Sequence, residues 1–317
     1  MAECEICFST EFDLISKKIR EGAGRICRCK NCGLTYQEIT LSPEELDEYY
    51  NKAYQETNSL VQGQILTARQ HYEDRKKTID QILRKITPLL RSDMKVLELG
   101  CGAGELLDAI KGKVAEVVGI ELNKEFIDFI KNDLGFEGHD QDINLIDFGG
   151  RQFDLIISIA TLDHLRNPKE TLQTLKGLLA PDGLMYFEVP NLDDCMNLYL
   201  PEPNKEKYNI FFWHLAHYFY FSKNSLARIM DTVGFDTDIK CRHEYTFKNF
   251  MNWFFTGTPQ KSFLDATRGF VFFNGSSGFE QRMNGLMNNM ESEFHQILAE
   301  TFTGDSLCCI ARHKRKK

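Results

Sequence analysis

The sequence predicts an α/β protein built on a doubly wound, mostly parallel sheet. A small Cys-rich module precedes it, and a helical insertion interrupts it near the C-terminus. Three observations carry that expectation. Short apolar runs alternate with amphipathic stretches from residue 94 to 235, the pattern of parallel strands joined by right-handed crossovers. The first run stops at three glycines, Gly100, Gly102 and Gly104. Two Cys-x-x-Cys pairs, Cys4–Cys7 and Cys29–Cys32, stand ahead of it.

The chain has 317 residues, with 38 Lys+Arg against 46 Asp+Glu, a net charge of −8. That length accommodates about two domains. With 24 Phe and 11 Tyr there is material for a sizeable core, which excludes wholesale disorder. Phosphate neutralisation needs clustered Lys and Arg, so for a net acidic chain nucleic acid is a poor default partner. No run approaches the roughly 18 apolar residues of a membrane span. The start, Met1-Ala2-Glu3-Cys4-Glu5, has no apolar leader core. The expectation is a cytoplasmic protein.

Residues 1–42 read as a zinc module with short strands. A Cys-x-x-Cys turn sets two thiolates on one side of a tight loop, and two such turns complete a tetrahedral zinc site. Gly33, directly after Cys32, suits a turn that needs positive φ. Four thiolates, Cys4, Cys7, Cys29 and Cys32, leave no open position, so the zinc would be structural. Cys27 is the spare. Cys101, Cys195, Cys241, Cys308 and Cys309 are scattered and read as small buried hydrophobes.

Residues 43–92 read as a helical linker or cap. Ser42-Pro43-Glu44-Glu45 supplies a cap, a first-turn proline and a capping-box acid. Ile65, Ile79, Ile82, Leu83 and Ile86 are spaced for one buried stripe, and Pro88 ends it. Residues 93–245 with 305–317 form the core, with strands at 94–99, 114–121, 153–160, 184–190 and 306–311. Helices are expected at 105–111, 124–134 and 168–179, and from the cap Ser222 to Val233. Residues 246–304 are an aromatic-rich insertion with Phe247, Phe250, Phe254, Phe255, Phe263, Phe270, Phe272, Phe273 and Trp253. It reads as a lid, an acceptor pocket or a homodimer surface, or as a cap with its own small core.

The glycine cluster, Glu98-Leu99-Gly100-Cys101-Gly102-Ala103-Gly104, lets backbone approach a ligand, and the next helix N-terminus points at it. The spacing is G-x-G-x-G, not the G-x-G-x-x-G of dinucleotide binders. Glu121 ends the second strand, where a carboxylate can accept from two ribose hydroxyls. Asp142 follows the next candidate strand, where an adenine amino group could donate to it.

Taken in order, these residues resemble the class I S-adenosylmethionine-dependent methyltransferases. Val96 to Gly104 resembles the first motif, Glu121 the ribose-binding acid and Asp142 the adenine-side acid. Phe153 to Ser158 resembles the fourth strand, Leu162-Asp163-His164-Leu165 the loop after it, and Pro181-Asp182-Gly183-Leu184 the turn before the fifth. The resemblance implies a Rossmann-like, seven-stranded sheet with S-adenosylmethionine as cofactor. It implies cofactor contacts from Glu98, Gly100, Gly102, Gly104, Glu121, Leu122, Asp142, Ile143, Ala160, Leu162 and His164.

Methyl transfer is an in-line displacement. A hydroxyl or carbon acid must also lose a proton, work for which a His near neutrality is suited. Phe211 to Ser222 follows the fifth strand at the carboxyl edge of the sheet and carries His214 and His217, two candidate bases. Together with the Cys pairs, this segment resembles bacterial methyltransferases acting on nucleotide-linked sugars. That subgroup has a His at the place of His217, a Glu where Ala216 stands and a Tyr where His214 stands. The implied partner is a small-molecule acceptor, a sugar nucleotide or surface-polysaccharide precursor. Tyr54 and Tyr72 could reach over the cofactor or fill core. Two alternatives stand beside this reading. One is an RNA methyltransferase gripping RNA through Lys17, Lys18, Arg20, Arg25, Arg28 and Lys30, although Ala160-Thr161-Leu162-Asp163 replaces the usual base-methylation motif. The other is a non-catalytic cofactor-binding scaffold.

Overall fold

Residues 3–38, 66–261, 263–267 and 273–315 are described by a computed structural model. Strands β1 (Phe12–Ile19), β2 (Gly22–Cys29) and β3 (Thr35–Glu38) form an antiparallel N-terminal sheet, with Leu14 opposite Cys27 and Cys27 opposite Tyr36. The expected helix start at Ser42, with Tyr54 and Ile65, lies outside the described residues. The rest of that stretch is two helices, α1 (Ala68–Lys76) and α2 (Ile79–Ile86), broken at Thr78. Thr67 and Gln70 cap α1 reciprocally. Ile79 and Ile86 are buried and Ile82 and Leu83 half-buried against Leu106, Leu107 and Ile110, so the expected stripe exists.

The core then alternates as its periodicity requires: β4 (Lys95–Leu99), α3 (Glu105–Ile110), β5 (Glu116–Ile120), α4 (Lys124–Phe129), β6 (Glu137–His139), β7 (Phe153–Ile159), α5 (Pro168–Leu178) and β8 (Leu179–Pro190). Helices α6 (Cys195–Tyr199) and α7 (Asn204–Phe212) follow, then β9 (Phe219–Tyr220), α8 (Lys223–Val233) and β10 (Phe235–Arg242). Ser222 caps α8, and Gly234 ends it in the left-handed conformation. The insertion carries α9 (Phe247–Thr256), α10 (Phe263–Thr267) and α11 (Gly278–Thr301), and β11 (Ser306–His313) closes the chain.

Seven strands form one sheet in the order β10-β11-β8-β7-β4-β5-β6. Only β11 runs against the direction of the other six. Central strands such as β4 and β7 are almost wholly apolar because helices cover both faces. Leu172, Leu175, Leu226, Ile229 and Met230 pack on one face, and α2 and α3 on the other. The doubly wound fold is the one expected.

Two details differ from the expectation. Strand β8 begins at Leu179 rather than 184. Phe153 pairs with Leu179 and Leu155 with Leu184, so Ala180 to Gly183 loop out within the strand, where Pro181 can donate no ladder bond. Strand β10 was not foreseen, because charged Asp236, Asp238 and Lys240 alternate along this edge strand. In the insertion, buried Trp253 and Leu298 join Met196, Leu200 and Tyr208 in a small core, so it packs on the segment after β8. Phe270 and Phe272 lie outside the described residues. Among the described residues, no helix is long and apolar enough to cross a membrane.

Strand β9 does not join the large sheet. It pairs antiparallel with β3, Thr35 opposite Tyr220 and Tyr36 opposite Phe219, and so extends the N-terminal sheet.

Candidate functional site

The carboxyl ends of β4, β5, β7 and β8 define one edge of the sheet, and the expected site residues gather there. After β4, the amides of Gly100 and Cys101 donate to the Ile120 carbonyl at 2.8 and 3.0 Å, tucking the loop against the end of β5. Gly100 has φ 76°, and a Cβ there would collide with the Thr161 side chain. Gly104, also left-handed, starts α3. The Glu121 carboxylate accepts from the amides of Gly102 at 3.2 Å and Asn123 at 3.1 Å. It therefore reaches back under the glycine loop. Leu122 beside it is 70% exposed. Asp142 accepts from the Asn144 amide at 2.8 Å and turns the chain so that Ile143 is buried. Ala160 sits at φ 50°, and its amide donates to the Glu188 carbonyl at 2.9 Å. Leu162 is buried in the turn that carries Asp163 and His164.

Three carboxyls surround this loop. Burial raises Glu98, Glu105 and Glu121 above the ordinary range, Glu105 to about 7, and each also feels a neighbouring acid or lies beside one. One oxygen of Glu98 and one of Glu105 are buried with no hydrogen-bond partner among the described residues. His71 of α1 packs over Gly102 and against Phe126, ring centroids 4.8 Å apart; burial lowers it to about 4, so it is neutral. A glycine floor, a carboxylate for a diol and orphaned acids for cationic groups fit the ribose, ammonium and sulfonium of S-adenosylmethionine. Tyr72 is used otherwise, since its hydroxyl donates to Asp108 at 2.6 Å.

A second group assembles beside the first. His214 and His217 lie on one turn, the His217 amide donating to the His214 carbonyl at 3.1 Å, and their ring centroids are 3.6 Å apart. Nε2 of His217 lies 3.0 Å from Oδ2 of Asp163, and Nε2 of His164 lies 3.5 Å from the same oxygen. Asp163 is 1% exposed. Burial alone would raise its carboxyl, but the facing His217 and His164 imidazoles hold it below the usual range. Burial lowers His164 to about 4 and His214 well below its ordinary value. Nδ1 of His217 has no hydrogen-bond partner among the described residues. Both Asp163 oxygens are likewise buried without a hydrogen-bond partner among the described residues, so the result is an imidazole facing a buried carboxylate at ion-pair distance, with its Nδ1 uncommitted. One carboxylate and two imidazoles within 4.8 Å of one another are also a donor set of the kind that holds a divalent ion.

At the N-terminal module, the sulfurs of Cys4, Cys7, Cys29 and Cys32 all lie within 4.8 Å of one another. Cys4 and Cys32 are 3.4 Å apart and Cys7 and Cys29 3.5 Å, far beyond a disulfide bond. Ligation at about 2.3 Å places tetrahedral sulfurs at about this separation, so the donor set fits zinc. Cys27 is buried but outside this cluster. The basic residues of the module are largely engaged within the fold. Arg25 meets Glu38 at 2.6 Å, Lys30 meets Asp13 at 3.4 Å, Arg28 donates to Thr35 at 3.2 Å and Arg20 to the Phe211 carbonyl at 2.7 Å.

Asp163, His71 and Gln37 were missed as functional candidates by sequence reasoning. A buried ion cluster was missed too: Lys85 bridges Glu188, at 2.9 Å, and Glu244, and Tyr186 donates to Glu188. Only Asp163 had a local signal, as a carboxylate directly before His164 in the loop after β7.

A family model described as a methyltransferase domain matches residues 70–238. A ubiquinone biosynthesis O-methyltransferase of Coxiella burnetii is 29% identical over 109 residues, covering 33% of this chain and 47% of that protein. Its namesake from Actinobacillus pleuropneumoniae is 32% identical over 123 residues, covering 36% and 52%. The chain thus spans about half the length of the curated relatives it matches. Among solved structures, a SAM-dependent methyltransferase from Archaeoglobus fulgidus aligns at TM-score 0.48 and 18% identity, covering 76% of this chain and 95% of that one.

Proposed function

The chain belongs to the methyltransferase-domain family, and from that premise we propose that it is an S-adenosylmethionine-dependent methyltransferase whose base is His217. The acceptor is a small molecule, a nucleotide-linked sugar or surface-polysaccharide precursor. The observation that carries the chemistry is the buried Asp163–His217 couple, 3.0 Å apart, at the carboxyl edge of the sheet.

When bound, the cofactor supplies an electrophilic sulfonium methyl. Glu121 would hold the ribose hydroxyls, Asp142 and Leu122 would border the adenine, and Glu98 with Glu105 would face the cationic end. Asp163 fixes the His217 ring and stabilises the imidazolium that forms when the ring takes the acceptor's proton. His214, neutral and packed at a tilt against His217, excludes water from one side. His164 shares the carboxylate and closes the other. The four-cysteine cluster would hold a structural zinc. The sugar reading of the acceptor is supported by the likeness of residues 211–222, with the Cys pairs ahead of them, to sugar methyltransferases.

The test is a binding measurement followed by turnover. Calorimetry with S-adenosylmethionine and S-adenosylhomocysteine should show binding to the wild type and to His217→Gln alike. A panel of sugar nucleotides should then be methylated by the wild type and not by the variant. Binding without turnover on any sugar nucleotide, but with turnover on a quinone precursor, would move the acceptor class toward that in the relatives' names. Turnover that survives His217→Gln would sink the base assignment. Binding with no turnover on any acceptor would favour the non-catalytic cofactor-binding scaffold, and no binding at all would sink the cofactor assignment. The paired cations of the module give the RNA reading no specific support.

A further inference from the structure

We infer that the N-terminal Cys-rich module is a working part of the catalytic centre: through Gln37, with Arg20 and Glu21, it holds the 211–218 segment in the geometry that sets His217 against Asp163. The catalytic meaning of this inference rests on the proposed role of His217, whereas the holding itself does not.

Between α7 and β9 the segment that carries both histidines has almost no regular structure of its own, so its backbone groups must find partners elsewhere. The module provides several of them. From the β1–β2 hairpin tip, the Arg20 amide donates to the Trp213 carbonyl at 2.7 Å, and Arg20 Nε donates to the Phe211 carbonyl at 2.7 Å. The Glu21 carboxylate accepts from the Leu215 amide at 3.0 Å. From β3, the Gln37 amide donates to the Tyr218 carbonyl at 2.9 Å. With its side-chain nitrogen turned to the two carbonyls that face it, Gln37 also donates to His214 at 3.0 Å and to His217 at 3.3 Å. The opposite side of the segment is tied to the other catalytic loop, the Tyr218 amide donating to the Asp163 carbonyl at 2.9 Å. Gln37 is thus clamped to the carbonyls at both ends of the His214–His217 turn.

Gln37 is 4% exposed. If the module only needed to dock, an apolar side chain would serve there without the cost of burying an amide. The amide is accounted for by the backbone it holds. The clamp is in turn anchored at the cysteine cluster. The Cys29 amide donates to the Leu34 carbonyl at 2.9 Å, so the turn between Cys29 and Cys32 sets the register in which β3 leaves it. A module this small depends on such a staple. Metal at the four cysteines would therefore be felt at His217 through β3, without touching substrate.

The test is amide hydrogen exchange by mass spectrometry on the full chain as purified, comparing wild type, Gln37→Leu, Glu21→Ala and wild type stripped with a zinc chelator. Leucine keeps the volume of Gln37 and removes both side-chain donors. Peptides spanning 211–221 should exchange about tenfold faster in Gln37→Leu, the effect of losing one or two net hydrogen bonds. Peptides spanning 95–110 should be unchanged, as should the zinc content and the affinity for S-adenosylhomocysteine. Glu21→Ala, which leaves β3 intact, should speed the same peptides less, and chelation should speed them most. The Cε1–Hε1 NMR signal of His217, assigned by its loss in His217→Gln, should shift in Gln37→Leu. Unchanged exchange at 211–221 in both variants and after chelation would overturn the inference, as would acceleration shared equally by 95–110. None of these readings needs an acceptor, so they stand apart from any failure of His217 as the base.

Discussion

The acids around the glycine loop make a test that requires no acceptor. Glu105 sits in the first turn of α3, and its carboxyl is raised to about 7 by burial and by Glu121, against the lowering effect of local amides and Arg75. An unfolded glutamate titrates near 4.5. The folded protein therefore binds more protons than the unfolded chain between these values, and stability falls as pH rises through that window. A displacement from 4.5 to about 7 corresponds to about 3 kcal/mol of stability, present below about pH 4.5 and lost above about pH 7. Glu105→Gln removes the ionisation and keeps the shape. In the absence of ligand it should leave the melting temperature at about pH 5 nearly unchanged and raise it by about 5 °C or more at pH 8. Differential scanning calorimetry at both pH values reads this directly. The same substitution should reduce the preference for cationic S-adenosylmethionine over uncharged-sulfur S-adenosylhomocysteine, because one of the facing charges is gone. An equal shift in melting temperature at the two pH values, or destabilisation at pH 8, would refute the idea that the cradle holds strained acids for a cation.

Other substitutions divide the site into its parts. Glu121→Ala should weaken S-adenosylhomocysteine by roughly a hundredfold or more in calorimetry, since hydrogen bonds to a charged group are worth about 1.5–3 kcal/mol each; an unchanged affinity would remove Glu121 from the ribose site. Asp163→Asn should cut turnover on a methylated acceptor by roughly 10²–10⁴, the usual range for general-base assistance, while cofactor affinity holds. Retained turnover there would leave His217 acting without its carboxylate. Cys32→Ser should abolish bound zinc in elemental analysis, and zinc retained in that variant would disprove the four-cysteine site.

The alternation of apolar runs and helical periods revealed the central sheet because β4, β5 and β7 are buried on both faces and so are mostly apolar along their length. The glycine loop and Glu121 were legible for a different reason: positive φ and a carboxylate at a strand end are local requirements that leave local marks. Strand β10 left none, because its outward positions are charged and only its pairing with β11 makes it a strand. Side-chain partnerships between distant segments were equally hidden. Gln37 and His217 are separated by most of the chain, and nothing near either residue announces the other. Lys85 of α2 is likewise enclosed between Glu188 and Glu244, with nothing near it in sequence to announce them. Burial alone would lower its ammonium, but those two carboxylates hold it above its ordinary range.

Ala216 shows how far a local motif can be followed. Where the resembled sugar methyltransferases place a Glu directly before the histidine, this chain has an alanine, and the sequence by itself leaves His217 without a carboxylate. The alanine is fully buried in the turn, so a longer acidic side chain in the same position would have to displace the packing around it. The carboxylate arrives from the other side instead, on Asp163 of the loop after β7, which is joined to the turn by the Tyr218 amide on the Asp163 carbonyl. What catalysis requires is a charge at hydrogen-bonding distance from one imidazole nitrogen, and that requirement is indifferent to which strand delivers it. The consequence is a stricter demand on the fold. A neighbouring Glu would travel with its histidine whenever the turn moved, but Asp163 stays with β7, so His217 keeps its partner only while the turn is held in place. The clamp from Gln37, Arg20 and Glu21 supplies that constraint, and it gives a physical reason for this chain to join its N-terminal sheet to β9.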